Sequence, residues 1–187
     1  MKTMILLGSR NPTGQTAQAV DAVIRGLSKA GAQCTSTYLP TVRIERCRQC
    51  DENGWGLCRR EGRCTIEDDL AGLVDGIRNA DAVVFATPVY FGDLSESLKA
   101  FLDRLRRMAH HDPGKAGLAG KPAIGICVAG GGGGGSYLCS QTLERTLLTC
   151  GFAVTDMLPV RRQNLERKLL VLEVTGKQFG ERPALPG

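Results

Sequence analysis

The sequence predicts an α/β domain, with a parallel sheet covered by helices on both faces. Three observations carry this. Short apolar runs alternate with segments of helical period along most of the chain. The runs Ala82–Ala86 and Pro122–Val128 are apolar without alternation, as strands buried on both faces are. Stretches rich in Gly, Ser, Thr and aromatic residues fall directly after such runs, where parallel sheets bind their ligands.

The elements follow in order. Thr3–Leu7 reads as the first strand, and Gln15–Ala30 as a helix with Ala19, Val20, Val23, Ile24 and Leu27 on one face and Gly31 as its stop. Gln33–Leu39 alternates as a second strand. The segment 40–66 reads as a long loop that holds four cysteines. Asp68 and Asp69 are expected to open a helix through Ala80, their charge matched to its dipole. After Ala82–Ala86 come the loop 87–94 and a helix Ser95–Ala109 with Leu98, Phe101, Leu102 and Leu105 on one face. His110 and His111 are read as capping that helix's C-terminus. Segment 110–120 is polar. Pro122–Val128, a run of glycines at 130–135, a helix Tyr137–Cys150, a strand Ala153–Pro159 and a helix Leu165–Phe179 complete the pattern. The expected organisation is a single domain over 1–180, with a cysteine-rich insertion at about 40–66 and a tail at 181–187.

Composition narrows the function classes. The 187 residues are 42% apolar and 23% charged, as in ordinary globular proteins. No apolar run approaches the roughly 18 residues of a membrane span, and the N-terminus does not read as a signal peptide. A cytoplasmic location is therefore expected, where eight cysteines serve packing, metal or redox chemistry rather than disulfides. The net charge of +5 sits in arginine groups at 43, 46 and 48, at 59, 60 and 63, at 104, 106 and 107, and at 161 and 162. These read as solvated faces, or as attraction for anionic ligands. Without interleaved aromatics they do not indicate nucleic acid.

Three strand-end loops carry the chemistry. In 8–16, Ser9, Thr13 and Thr16 offer hydroxyls, Gln15 an amide and Arg10 a charge, in front of a helix N-terminus. The loop has neither GxGxxG nor GxxxxGK[ST], so it suits a terminal phosphate monoester; a capped helix start is the plainer account. In 87–92, Tyr90 and Phe91 stand where polar residues are expected and suggest a surface for a flat ring, or packing under a helix or into a subunit interface. In 129–135, Ala129, Gly130 and Gly131 let a ligand approach the backbone, and the later glycines are expected to be mobile. A phosphate, a flat ring and backbone donors together describe a mononucleotide with a large planar base, and FMN fits.

At these motifs the chain resembles the flavodoxin-like NADPH-dependent FMN reductase superfamily, and within it the iron–sulfur flavoprotein branch. The matching residues are Gly-Ser-Arg-Asn-Pro-Thr-Gly-Gln-Thr at 8–16, the cysteines 47, 50, 58 and 64, Asp68-Asp69, Thr87-Pro-Val-Tyr-Phe-Gly, and Leu98-Lys-Ala-Phe-Leu-Asp-Arg. The resemblance implies a flavodoxin-like three-layer sandwich whose five parallel strands run in the order 2-1-3-4-5. It implies FMN, with NAD(P)H as co-substrate, a homodimer or homotetramer, and a flavin near a subunit interface. Ser9, Arg10, Gln15 and Thr16 match phosphate ligands. Thr87, Pro88, Val89, Tyr90, Phe91 and Gly92 match ribityl and ring contacts, and Ala129, Gly130 and Gly131 the third loop. No catalytic acid or base is assigned, since the flavin carries the chemistry.

The expected activity is an FMN-dependent oxidoreductase that passes electrons from NAD(P)H to a quinone, a small aromatic or another acceptor. The alternative is an iron–sulfur flavoprotein-type electron carrier served by a ferredoxin-like partner. A redox-sensing module is a third reading. Cys47-x2-Cys50-x7-Cys58-x5-Cys64 could hold a 4Fe–4S cluster or zinc, although cluster-bearing relatives have a tighter C-x2-C-x2-C start. Without metal it is a cap loop with packed or free thiols, in which Cys47 and Cys50 could pair. Cys34, Cys127, Cys139 and Cys150 are read as packing.

Overall fold

The computed structural model describes residues 1–182. Five strands form one parallel sheet: β1 (Lys2–Leu7), β2 (Gln33–Tyr38), β3 (Ala82–Pro88), β4 (Pro122–Ala129) and β5 (Ala153–Arg161), in the order β2-β1-β3-β4-β5. The helices are α1 (Gln15–Lys29), a short α2 (Leu57–Arg60), α3 (Leu70–Asn79), α4 (Glu96–Ala109), a short α5 (Asp112–Lys115), α6 (Ser136–Thr149) and α7 (Leu165–Glu181).

The pleat sorts the strand side chains into two cores. Met4, Leu6, Val83, Phe85, Ala123 and Cys127 face α3, α4 and α6. Ile5, Leu7, Val84, Ala86, Ile124, Ile126 and Val128 face α1 and α7. The expected order 2-1-3-4-5 is present, and it stacks the C-terminal ends of β1, β3, β4 and β5 side by side along one rim.

Several boundaries differ from expectation for physical reasons. Pro159 reads as the end of the last strand, yet β5 runs on through Arg161 because it is an edge strand, where a missing N–H costs no ladder bond. Asp68 and Asp69 precede α3 rather than filling its first turn. Their carboxylates accept backbone N–H groups instead, Asp69 from Arg43 at 2.7 Å and Asp68 from Glu45 at 2.8 Å. The cysteine segment is not all loop: a 3-10 turn spans Leu39–Thr41, α2 lies within it, and Ile66 is buried. Segment 110–120 contains α5. Helix α7 extends to Glu181, two residues past its expected end, and the rest of the expected tail, 183–187, lies outside the described residues.

Helices α1 and α7 pack backbone to backbone. A Cβ at Gly26 would collide with the carbonyl of Glu173, one at Gly176 with that of Val23, and one at Gly180 would meet Ala30. Residues 23–26 of α1 meet 173–177 of α7, and residues 27–30 meet Gly180, so the two helices run parallel.

Candidate functional site

The three strand-end loops converge, and their contacts are specific. Gly8 N donates to Ala86 O at 2.7 Å, and Ser97 Oγ donates to Gly8 O at 3.3 Å. A side chain at Gly8 would collide with Ser95 Oγ, so the first loop can lie against the second only through glycine. Val89 N donates to Val128 O at 2.9 Å and ties the second loop to β4. At Gly135, with φ 82°, a Cβ would stand 2.7 Å from the Gly92 Cα, which puts the third loop on the second. At Gly130 it would stand 3.6 Å from Gln15 Oε1, which closes the ring of contacts.

Between the loops lies an open cleft of about 690 Å³. Ser9, Gln15, Thr16, Pro88, Val89, Tyr90, Ala129, Gly130 and Gly131 line it, all expected from sequence. Arg10, Thr13, Thr87, Phe91 and Gly92 do not. Thr87 is fully buried; its hydroxyl accepts from Ser95 N at 3.0 Å and donates to Pro88 O, so it shapes the loop from beneath. Thr13 donates its N–H and its hydroxyl to Asn11 Oδ1, both at 3.0 Å, in an Asx turn that holds the first loop. Arg10 is exposed beside it.

The first loop leaves donors free. The N-cap of α1 is Gly14, which has no side chain to satisfy the first N–H groups. Those groups, the Ser9 and Thr16 hydroxyls and the Gln15 amide stand together at one end of the cleft, donors of the kind an anion takes. The second loop holds its aromatics outward. Tyr90 is 55% exposed, and Phe91 is fully exposed at φ 52°. A left-handed phenylalanine costs on the order of 1–2 kcal/mol, so the fold spends stability to present this ring. In the third loop, Gly130–Gly134 contribute no side chain to the cleft, and Gly131, Gly132 and Gly134 have open space where a Cβ would stand. The later glycines are held: Gly133 N donates to Gly130 O at 2.7 Å, and Gln163 Nε2 to Gly132 O at 3.0 Å.

Sequence reasoning missed Asn11, Gly14, Val128, Gly132–Gly134 and Arg162 as lining residues. Arg162 stands with Arg161 among the arginines read as solvated faces or as attraction for anionic ligands, without a place in the site. Its position directly after the last strand was the signal that could have found it.

A second locus lies in the cysteine segment. Cys47, Cys50, Cys58 and Cys64 line one small apolar cavity of about 20 Å³, with Arg104, Arg107, Leu57 and Met108. Among the described residues no group of three His, Cys, Asp or Glu side chains stands close enough to hold a metal ion. Arg104, expected on the surface, is 1% exposed. Its guanidinium pairs with the buried Asp68, donates to Glu45 O at 3.0 Å and reaches Cys64 Sγ at 3.2 Å. Burial alone would raise the Asp68 carboxyl; the Arg104 hydrogen bonds and the N–H groups of Glu45 and Leu70 outweigh it and hold it below the usual carboxylate range.

Trp55, in the gap between Cys50 and Cys58, lies 4.2 Å under the Arg107 guanidinium and packs on His110 and His111. The two histidines thus belong to this cluster, not only to a helix end. Of the cysteines outside the segment, the neighbouring Cys127 thiol and burial push the Cys139 thiol up, and burial pushes Cys150 up to about 12. Both behave as packing residues.

No helix among the described residues is long and apolar enough to cross a membrane. An iron–sulfur flavoprotein of Archaeoglobus fulgidus is 29% identical over 124 residues, covering 66% of this chain and 54% of that protein. One from Methanocaldococcus jannaschii is 29% identical over 160 residues, covering 86% and 75%. The chain thus spans about half the length of the first of these relatives. An NAD(P)H:quinone oxidoreductase from Methanothermobacter marburgensis superposes over 100% of this chain and 98% of its own with a TM-score of 0.68 at 20% identity, a likeness of fold. The family described as NADPH-dependent FMN reductase matches residues 1–162, a span that contains β1–β5 and every strand-end loop above, and the chain belongs to that family.

Proposed function

We propose that the strand-end cleft binds FMN and that the protein is an NAD(P)H-dependent FMN oxidoreductase acting on a quinone, a small aromatic or another small acceptor. The carrying observation is the convergence of the three loops on one open cleft. That cleft has an uncapped helix start at one end, side-chain-free backbone at Gly130–Gly134 and two outward aromatics on the loop between. The donors fit the group. Ser9, Thr16, Gln15 and the α1 N–H groups would hold the phosphate, with Arg10 and Thr13 beside them. Pro88, Val89 and Tyr90 would face the ribityl chain and ring, with Thr87 and Gly92 shaping that loop, and Ala129–Gly131 would approach the ring edge. Bound FMN supplies two-electron chemistry at its ring nitrogen, so no protein acid or base is required. The exposed Tyr90, Phe91, Tyr137 and Leu138 at the cleft mouth are proposed to be covered in a homodimer or homotetramer.

Titrating the purified protein with FMN tests this. Quenched flavin fluorescence, a visible flavin spectrum, and NAD(P)H oxidation that depends on both FMN and a quinone are expected. A protein that leaves FMN fluorescence unchanged overturns it.

The shared cysteine cavity motivates a second reading, an iron–sulfur flavoprotein-type carrier served by a ferredoxin-like partner. The four thiols are the right donors, but as arranged they do not fit a 4Fe–4S cluster: the space among them is about 20 Å³. Segment 42–69 would have to open to admit one. Anaerobic purification with iron analysis decides; fewer than about two iron atoms per chain rejects the reading.

A further inference from the structure

The turn after β5 takes no part in the FMN assignment, yet it is built with care. Arg161–Asn164 is anchored at three points. Asn164 Oδ1 accepts from Arg161 N at 2.8 Å. Gln163 Nε2 donates to Gly132 O at 3.0 Å and so pins the glycine loop. The Arg161 guanidinium lies 5.3 Å from the Tyr137 ring centre, committed to a cation–π contact. Arg162 is the side chain of this turn left to face the cleft. Among the described residues no carboxylate pairs with it.

The position sets what this cation can serve. In the order β2-β1-β3-β4-β5, three strand spacings separate β5 from β1, about 14 Å at the usual spacing. The FMN phosphate is assigned to the β1 loop, at the other end of the cleft. An unpaired arginine on an anchored turn at the far end calls for a second anionic group, and guanidinium is suited to phosphate. We infer that Arg162 is a specificity-determining residue, which takes a phosphate of the dinucleotide hydride donor. Gln163 is a positioning residue that holds the glycine loop and seats the turn. The inference rests on the proposed function, since it needs the flavin phosphate to lie in the β1 loop.

The phosphate has two sources on such a donor, the 2′-phosphate and the pyrophosphate. The test uses the FMN-loaded protein and the variants Arg162→Ala, Arg162→Lys and Gln163→Ala. KM is measured with NADPH and with NADH, and FMN affinity by fluorescence quenching. Arg162→Ala is expected to raise the KM for NADPH about tenfold, as loss of one charged hydrogen bond does, while FMN affinity changes less than twofold. An unchanged KM for NADH assigns the 2′-phosphate; an equal rise assigns the pyrophosphate. Arg162→Lys should recover part of the loss. Gln163→Ala should weaken FMN without changing the NADPH-to-NADH ratio. Calorimetric titration of 2′-phospho-ADP-ribose and ADP-ribose into the protein, before and after Arg162→Ala, reads the same contact without turnover. Unchanged KM values and unchanged binding in Arg162→Ala overturn the inference while leaving FMN reduction standing. An FMN affinity that falls as far as the donor's does also overturns it, because Arg162 then serves the flavin. Failure of the parent protein to bind FMN is a separate result and overturns the proposed function.

Discussion

Arg104 sits at the tightest place in the molecule. Its charge is buried with that of Asp68, and its other donors reach the Glu45 carbonyl and the Cys64 sulfur. Removing one partner of such a pair strands the other. Arg104→Leu is therefore expected to cost about 3–5 kcal/mol, read as a lower midpoint in urea. The double variant Arg104→Leu with Asp68→Leu should be less damaged than Arg104→Leu alone, because it leaves no uncompensated charge. The sequence hid this role. Arg104 stands among Arg106 and Arg107, and a run of arginines reads as a wet helix face. Only the spatial neighbour Asp68, 36 positions away, distinguishes it. Thr87 is a second case: its type and place mark it for a ligand, but its hydroxyl is consumed by Ser95 and Pro88, which no spacing rule reveals.

The elements were legible where one local force dominates and illegible where a long-range contact decides. Apolar runs located β1, β3, β4 and β5, alternation located β2, and helical patterns located α1, α4, α6 and α7. The end of β5 and the start of α3 depended on edge position and on carboxylates reaching back to 43 and 45, which periodicity does not encode. The Asp68 carboxylate makes the cysteine segment pH-sensitive. The Asp68 carboxyl is held below its usual range, so its contribution is complete above its unfolded value near ~3.9 and is lost as pH falls through the lower folded value. The chain has one tryptophan, Trp55, and it lies in this segment. Its emission should shift to the red below about pH 4, ahead of any loss of helix signal in circular dichroism. Asp68→Asn should show the shifted emission already at neutral pH. The glycine loop gives a second expectation: Gly135→Ala forces a left-handed Cβ against Gly92 and should weaken FMN at least tenfold, measured by fluorescence quenching.

At the scale of the whole molecule, two cores share one sheet, and they are closed differently. The α3–α4–α6 side is sealed by many apolar side chains. The other side depends on α7, whose buried Leu172 and Phe179 complete the core over α1. The family match ends at residue 162, so this helix lies beyond the matched span. Gly176→Val should undock it, since the new side chain would enter the Val23 carbonyl, and a loss of several kcal/mol is expected in thermal or urea unfolding. The apolar run Leu169-Leu170-Val171-Leu172 suggests deep burial, yet Leu170 is 72% exposed. Close approach through Gly176 and Gly180 does the docking, and glycine is silent in a hydrophobic pattern.

The parallel packing of α1 and α7 has a consequence for measuring ligands. The first strand-end loop is mounted on the start of α1, and Arg162 stands just before the start of α7. Because backbone touches backbone along the pair, neither helix can slide without the other. The two helices act as the jaws of a calliper locked at one opening. The distance between the first loop and the Arg162 turn is then held constant, so a ligand that engaged both would be selected by its length between charges as well as by its chemistry.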